Sequence, residues 1–185
     1  MKSYLQSLDL FSEEEIDEFL SKGTLKKFSK GSFFLKEGGI SQDVGFIEKG
    51  FMRSFYYNSV EEEVTYCFGF PQSYIADYAS FITQEPAKES IQAMSDVEIL
   101  VFSKNDISAF EQRNNWLRFF KLLADQEFIR IENRFFSQMK ESAEYRYKKL
   151  IAENPEFLQQ IPLNYLASYL GISQRHLTRI RKNIN

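Results

Sequence analysis

The chain has 185 residues, 43% of them hydrophobic and 16% aromatic, with a formal net charge of −3, enough apolar side chain for one large soluble domain or two small ones. Its single cysteine, Cys67, excludes an intramolecular disulfide and any all-cysteine iron–sulfur or zinc site within one chain. No run approaches the ~20 apolar residues of a membrane span, and the N-terminal MKSYLQSLDLFSEEEIDEF is acidic and amphipathic rather than a basic leader, so a reduced, cytoplasmic setting without a membrane partner is expected.

Ser12 followed by Glu13, Glu14 and Glu15 has the pattern of an N-cap with acidic residues on the positive end of a helix. That helix is expected to run to about Leu20 and to serve in docking. From Leu25 to about Phe102 the chain changes to short runs of β-branched and aromatic residues, among them SFFLKE, GFIEKG, FMRSFYYN and VEILVFS. Gly31, Gly38-Gly39, Gly50, Asn58-Ser59, Gly69 with Pro71, and Pro86 punctuate them. A recurrence of about ten residues predicts an antiparallel sandwich or barrel.

After Ser103-Lys104-Asn105-Asp106 the period changes to that of a helix, drawn from Asn115 to Met139. Leu117, Phe120, Ala124, Phe128, Ile131, Phe135 and Met139 recur at gaps of three and four, an apolar seam that needs a partner. Part of the seam can pack on the β domain. Its length and aromatic content favour pairing with the same helix of a second subunit through Phe120, Ala124, Phe128, Ile131 and Phe135, and the alternative is an intramolecular core helix. A helix from Ala143 to about Ala152, then Asn154-Pro155 and a short helical stretch to Gln160, lead to the tail.

The last stretch, Phe157 to Asn185, holds no Asp or Glu but carries Arg175, Arg179, Arg181 and Lys182 in an otherwise acidic chain. Such asymmetry points to a polyanionic partner for the basic part. Its pattern is a helix-turn-helix: a first helix from about Leu163 to Tyr169, a break at Gly171-Ile172-Ser173, and a second helix from about Gln174 to Lys182. Ala167 is small enough for two helices to cross closely, Gly171 supplies a positive φ, Ser173 can cap the second helix, and Leu177 with Ile180 hold it to the first. Gln174, Arg175 and Arg179 are then the candidate base readers, because Gln and Arg pair bidentately with adenine and guanine. Ser173, Thr178, Arg181 and Lys182 are the candidate phosphate contacts. A helical hairpin with a solvated basic end is the alternative. His176 is expected to be an exposed residue supporting the contact.

The order of these parts resembles the cyclic-AMP receptor protein and fumarate–nitrate regulator (Crp/Fnr) family of bacterial transcription factors. The resemblance rests on KGSFFLKEGG (Lys30 to Gly39), GFIEKGFMRSFY (Gly45 to Tyr56), SDVEILVFSKND (Ser95 to Asp106) and LASYLGISQRHLTRIRK (Leu166 to Lys182). The blocks PEFLQQIPLNYLASYLGIS and SFITQEP look most like short members from Bacteroidetes-type bacteria, which lack a winged hairpin and look complete at this point. What it implies is an α+β chain with three parts. Residues 1–114 form a sensor, an antiparallel β-barrel of the double-stranded β-helix type, cupin-like in outline. Residues 115–140 form the dimerisation helix and residues 141–185 an all-α helix-turn-helix domain. The implied partners are double-stranded DNA, a second copy of the chain, RNA polymerase and a small-molecule effector.

By that resemblance, the Gly-Glu and Arg-Ser pairs with which cyclic-nucleotide binders hold ribose and phosphate fall on Asp77-Tyr78 and Ala87-Lys88. A cyclic phosphate needs backbone donors and a bidentate arginine, whereas this segment offers Asp77, Glu85 and Glu89 around Lys88, so cyclic AMP is not expected. One cysteine and one histidine suit neither the iron–sulfur nor the haem members, and no cofactor or metal is expected. The barrel aromatics Phe46, Phe55, Tyr66, Phe68, Phe70, Tyr74, Tyr78 and Phe81 are core or the lining of an effector pocket. Phe68, Tyr74, Tyr78, Phe81 and Lys88 are the candidate pocket residues. Cys67 between Tyr66 and Phe68 is expected to be buried and inert. No nucleophile elbow, phosphate-binding glycine loop or histidine-rich cupin site is present, so catalysis is not expected. The expected function is a dimeric, sequence-specific transcriptional regulator. The alternative is an effector-binding or protein-contact regulator with weak or no specific DNA binding.

Overall fold

Two helices open the chain in the computed structural model, which describes residues 1–153, 155 and 159–184: α1 (Lys2–Ser7) and α2 (Glu13–Lys22). Ser12 caps α2 with a full capping box, its hydroxyl accepting from the Glu15 N–H while the Glu15 carboxylate accepts from the Ser12 N–H. Only α2 was legible in the sequence, because α1 is short and has no side-chain cap. Eight strands follow: β1 (Thr24–Phe28), β2 (Phe33–Leu35), β3 (Asp43–Lys49), β4 (Met52–Tyr57), β5 (Glu63–Gly69), β6 (Tyr74–Ile75), β7 (Ser90–Ala93) and β8 (Val97–Ser103). Between β6 and β7 lies α3 (Tyr78–Thr83), which the strand-like spacing of the sequence did not predict.

The strands form two four-stranded sheets, ordered β1-β8-β3-β6 and β2-β7-β4-β5, and this corrects the expected closed barrel to a sandwich. The physical reason is in the connections. β1 and β2, β3 and β4, and β7 and β8 are consecutive in sequence yet lie in different sheets, so the tight turns between them change sheet instead of continuing one ladder. Gly50 makes the β3–β4 turn possible: its φ is +76°, and a Cβ there would stand 2.3 Å from the Asp96 carbonyl oxygen. Ile47, Met52, Ile75, Ile91, Val97 and Ile99 fill the adjoining core.

Ser103 ends β8 and caps α4 (Lys104–Glu111) through a second capping box with Asp106. The sequence reading placed only a change of period there. The long helix α5 (Asn114–Lys140) then runs one residue beyond the expected span at each end. Its buried residues are Trp116 and Phe119 rather than the seam positions. Trp116 stacks on Phe11 and Phe19, with ring centroids 4.1 and 4.2 Å apart, in a cluster with Leu5, Ile16, Phe102 and Phe110. The tilted and stacked rings give this cluster directional packing beyond area burial. Arg113 donates to both oxygens of Glu18 at 2.6 and 2.7 Å, tying α2 to the start of α5.

Among the described residues the remaining helices are α6 (Ala143–Glu153), α7 (Leu163–Tyr169) and α8 (Gln174–Ile184). The short helical stretch expected after Asn154-Pro155, up to Gln160, falls mostly outside the described residues. The chain divides into two compact units: Met1–Ser54 with Phe68–Asp125, and Phe55–Cys67 with Gln126–Asn185. Among the described residues, no helix is long and apolar enough to cross a membrane.

Candidate functional site

Within the second unit, α7 and α8 are joined by a turn whose Gly171 has φ +67°, and the Ile172 N–H returns to the Ala167 carbonyl at 3.0 Å. The Ser173 hydroxyl accepts from the His176 N–H at 3.2 Å, capping α8. Leu166, Ala167, Leu170, Leu177 and Ile180 are buried, so the two helices share one small core. That packing leaves Gln174, Arg175, Thr178, Arg179 and Lys182 exposed along the outside of α8, while His176 is half-buried. The outer face carries cations and no carboxylate.

Besides Ser173, two of the expected phosphate contacts make local bonds. The Thr178 hydroxyl donates to the Gln174 carbonyl at 2.9 Å, and Arg181 Nε donates to the Tyr147 hydroxyl of α6 at 2.9 Å. Arg181 therefore helps hold α8 to α6. Sequence reasoning missed three further anchors. Arg134 of α5 donates to the Tyr169 carbonyl at 3.1 Å and its guanidinium lies 3.9 Å from the Tyr169 ring centroid. Arg146 of α6 donates to the Leu170 carbonyl at 2.8 Å. Both satisfy carbonyls at the end of α7, which an uncapped helix terminus leaves open. The Ser168 hydroxyl accepts from the Thr65 N–H at 2.9 Å, so α7 is also tied to β5. Their signal was weak, because a polar residue on a helix does not reveal which distant carbonyl it reaches.

The seam of α5 is used in two ways. Phe120 packs with Phe19, Trp116 and Phe119 in the first unit, and Ala124 is half-buried. In the second unit Phe128 is 68% exposed, Ile131 41% and Phe135 58%, followed by Phe136 at 44% and Met139 at 69%. An apolar stripe this continuous on a helix is the mark of an interaction surface rather than scattered exposure. Cys67, facing this helix from β5, is buried; burial pushes its thiol pKa up, and Arg130 and Arg134 of α5 oppose that in part. The expected inert thiol fits this environment.

In the first unit, the segment that the sequence compared with a nucleotide site is organised by Asp77. One oxygen of its buried carboxylate caps α3 by accepting from the Ser80 N–H at 2.9 Å, and the other accepts from the Lys88 N–H at 3.1 Å. Asp77→Ala is expected to cost about 1–2 kcal/mol in urea unfolding, since a cap and a second backbone bond are lost; an unchanged midpoint would show that the bracket is dispensable. Ala87 is buried and Lys88 is exposed.

The aromatic candidates separate. Phe68 and Phe81 are buried and Tyr74 is half-buried, but Tyr78 is 54% exposed and Lys88 faces solvent. Phe81 belongs to the Trp116 cluster, on which Tyr74 also packs. The Tyr74 hydroxyl is buried with no hydrogen-bond partner among the described residues. Burial, aided by Tyr4, holds its phenol well above the usual tyrosine range. A raised folded value means that the contribution to stability is complete below the unfolded pKa of ~10 and is lost as pH rises through the folded one. Tyr74→Phe is therefore expected to leave stability at pH 7 unchanged or up to ~1 kcal/mol higher, and to flatten the loss above pH ~10. A clear destabilisation at pH 7 would mean that the hydroxyl is bonded.

Residues 25–114 match the cyclic nucleotide-binding domain family. No curated protein matches the sequence. Among solved structures, FixK2 from Bradyrhizobium japonicum superposes with a TM-score of 0.76 at 15% identity, over 88% of this chain and 84% of that one. The c-di-GMP-responsive global regulator CLP of Xanthomonas campestris gives 0.72 at 11% identity, over 94% and 91%. A transcriptional regulator of the Crp/Fnr family from Eubacterium rectale gives 0.72 at 14%, over 94% and 83%. At such identities the likeness carries the fold, and it extends over both units of the chain. Residues 25–114 thus carry the match to the cyclic nucleotide-binding domain family, and the chain shares the fold of Crp/Fnr transcriptional regulators.

Proposed function

We propose that the protein is a dimeric, sequence-specific DNA-binding transcriptional regulator that does not respond to cyclic AMP. The observation that carries this reading is α8: Leu177 and Ile180 are spent on the core with α7, and Gln174, Arg175 and Arg179 are left exposed on an outer face free of carboxylates. A helix with this division presents hydrogen-bond donors to a major groove while its inner face holds its orientation. Ser173, Thr178, Arg181 and Lys182 supply contacts to the phosphates, Arg181 with the donors that Tyr147 does not use.

The open stripe of α5 supports pairing with a second copy, and a two-fold dimer would offer two α8 helices to an inverted repeat. In this reading residues 1–114 are the sensor, 115–140 the dimerisation helix and 141–185 the DNA-binding domain, in the cytoplasm, with RNA polymerase as the further partner. The exclusion of cyclic AMP follows from Asp77 and Ala87. A cyclic phosphate at that segment would meet a carboxylate already bound to two backbone N–H groups and would find no arginine.

The experiment is selection from random-sequence duplex DNA by the purified full-length protein at moderate salt, followed by a salt titration of the enriched site. An enriched inverted repeat whose affinity falls steeply with salt is expected. No enrichment, with or without a cell extract as a source of effector, would overturn the reading.

A further inference from the structure

A second group of cations in the second unit is not used by the outer face of α8. The later part of α5, α6 and the C-terminal end of α7 form a half-open pocket of about 260 Å³. Arg130, Arg134, Arg146 and Lys149 line it, against one lining carboxylate among the described residues, Glu153. The negative groups at its edge are already engaged. Glu127, outside the lining, is bonded to Arg130, and Glu153 stands 4.0 Å from Lys149. The Tyr169 and Leu170 carbonyls take one donor each from Arg134 and Arg146, and the Glu141 carbonyl takes another from Arg146 at 2.6 Å.

Carbonyl oxygens accept hydrogen bonds without neutralising the charge, and each guanidinium has five N–H donors. Arg146 Nε is buried with no partner among the described residues. Arg130 and Lys149 are paired with Glu127 and Glu153, but Arg134 and Arg146 are half-buried with no ion-pair partner among the described residues, and two such cations on one pocket favour a bound anion. The space, roughly nine waters at ~30 Å³ each, admits a phosphate or pyrophosphate. We propose that this pocket, lined by Arg130, Arg134, Arg146 and Lys149, binds a compact phosphate-bearing small molecule.

Concavity favours a small anion over a backbone phosphate of DNA, because a duplex reaches exposed side chains more readily than a buried Nε. Such a ligand would bridge α5, α6 and the end of α7, adding a contact among the three helices that position α8. The pocket stands without the DNA reading, and its test is a direct binding measurement.

The probe is pyrophosphate, with inorganic phosphate beside it, titrated calorimetrically into the full-length protein at constant ionic strength. One saturable site per chain is expected. Arg146→Gln is expected to weaken it about tenfold or more, the scale of one lost charge-assisted hydrogen bond. Lys149→Gln should weaken it and Glu153→Gln should tighten it, each about threefold, as single charges at a partly exposed edge. Because Arg146 also holds Leu170, its variant can fail to fold; Lys149→Gln and Glu153→Gln change exposed side chains and keep the test decisive. Absence of saturable binding, or binding indifferent to the folded variants, would overturn the proposal. So would a result in which pyrophosphate does not bind and Lys149→Gln lowers the salt dependence of duplex binding, which would assign the pocket to DNA phosphates.

Discussion

Replacing Arg175 or Arg179 by Ala is expected to weaken binding to the selected DNA site by about 1–3 kcal/mol and to relax discrimination at the base pair that each side chain reads. Both residues are exposed on α8, and the buried Leu177 and Ile180 hold the helix in place without them. Fold stability should therefore stay within about 0.5 kcal/mol of wild type, the usual range for surface substitutions. Lys182→Ala is the contrast: an exposed cation in the last turn that pairs with a phosphate weakens all sequences alike and lowers the salt slope by about one. The measurement is competition binding across single-base variants of the site. If both arginine variants kept wild-type discrimination, α8 would not be the reading element.

The second large effect is on assembly. If two copies pair through α5 as proposed, Phe128→Asp or Ile131→Asp is expected to yield a monomer on light scattering. Two-fold symmetry would place two carboxylates in one apolar interface, and burying each unpaired charge costs several kcal/mol. The structure makes this test clean, because Phe128 and Ile131 are 68% and 41% exposed on the single chain and neither supports its core. Trp116 and Phe119, on the same helix, would be poor choices: both are fully buried, and their loss would unfold the Trp116 cluster rather than report on association. An unchanged dimer mass with Phe128→Asp would move the interface away from α5.

The α5 helix also shows how far periodicity reaches. Gaps of three and four placed the helix within a residue at each end, since the 3.6-residue repeat is a local property of the chain. The same pattern nominated Phe120 together with Phe128, although in the fold Phe120 packs on Trp116 and Phe128 does not pack there. Periodicity identifies an apolar face; it does not say which partner covers each part of it. Ser12, Gly171 and Ser173 were legible for a related reason, because caps and positive-φ turns act within four residues of themselves. By contrast α3 was hidden: Tyr78 to Thr83 is too short to show a period, and it is held by Asp77, whose second bond is to Lys88 across the β7 approach.

What the sequence determined by itself is what short-range physics sets: the sheet-forming runs, the long helix, the α7–turn–α8 unit and the basic tail without carboxylates. The tertiary structure alone decided the rest. Sheet membership depends on turns such as Gly50 that send consecutive strands to different sheets, so an expected barrel became two open sheets. The grip of Arg134 and Arg146 on the end of α7, and the pocket that these arginines share with Lys149, join residues from three helices. Contacts between distant segments depend on how the chain is packed, and no local pattern of residue types encodes which donor will meet which acceptor.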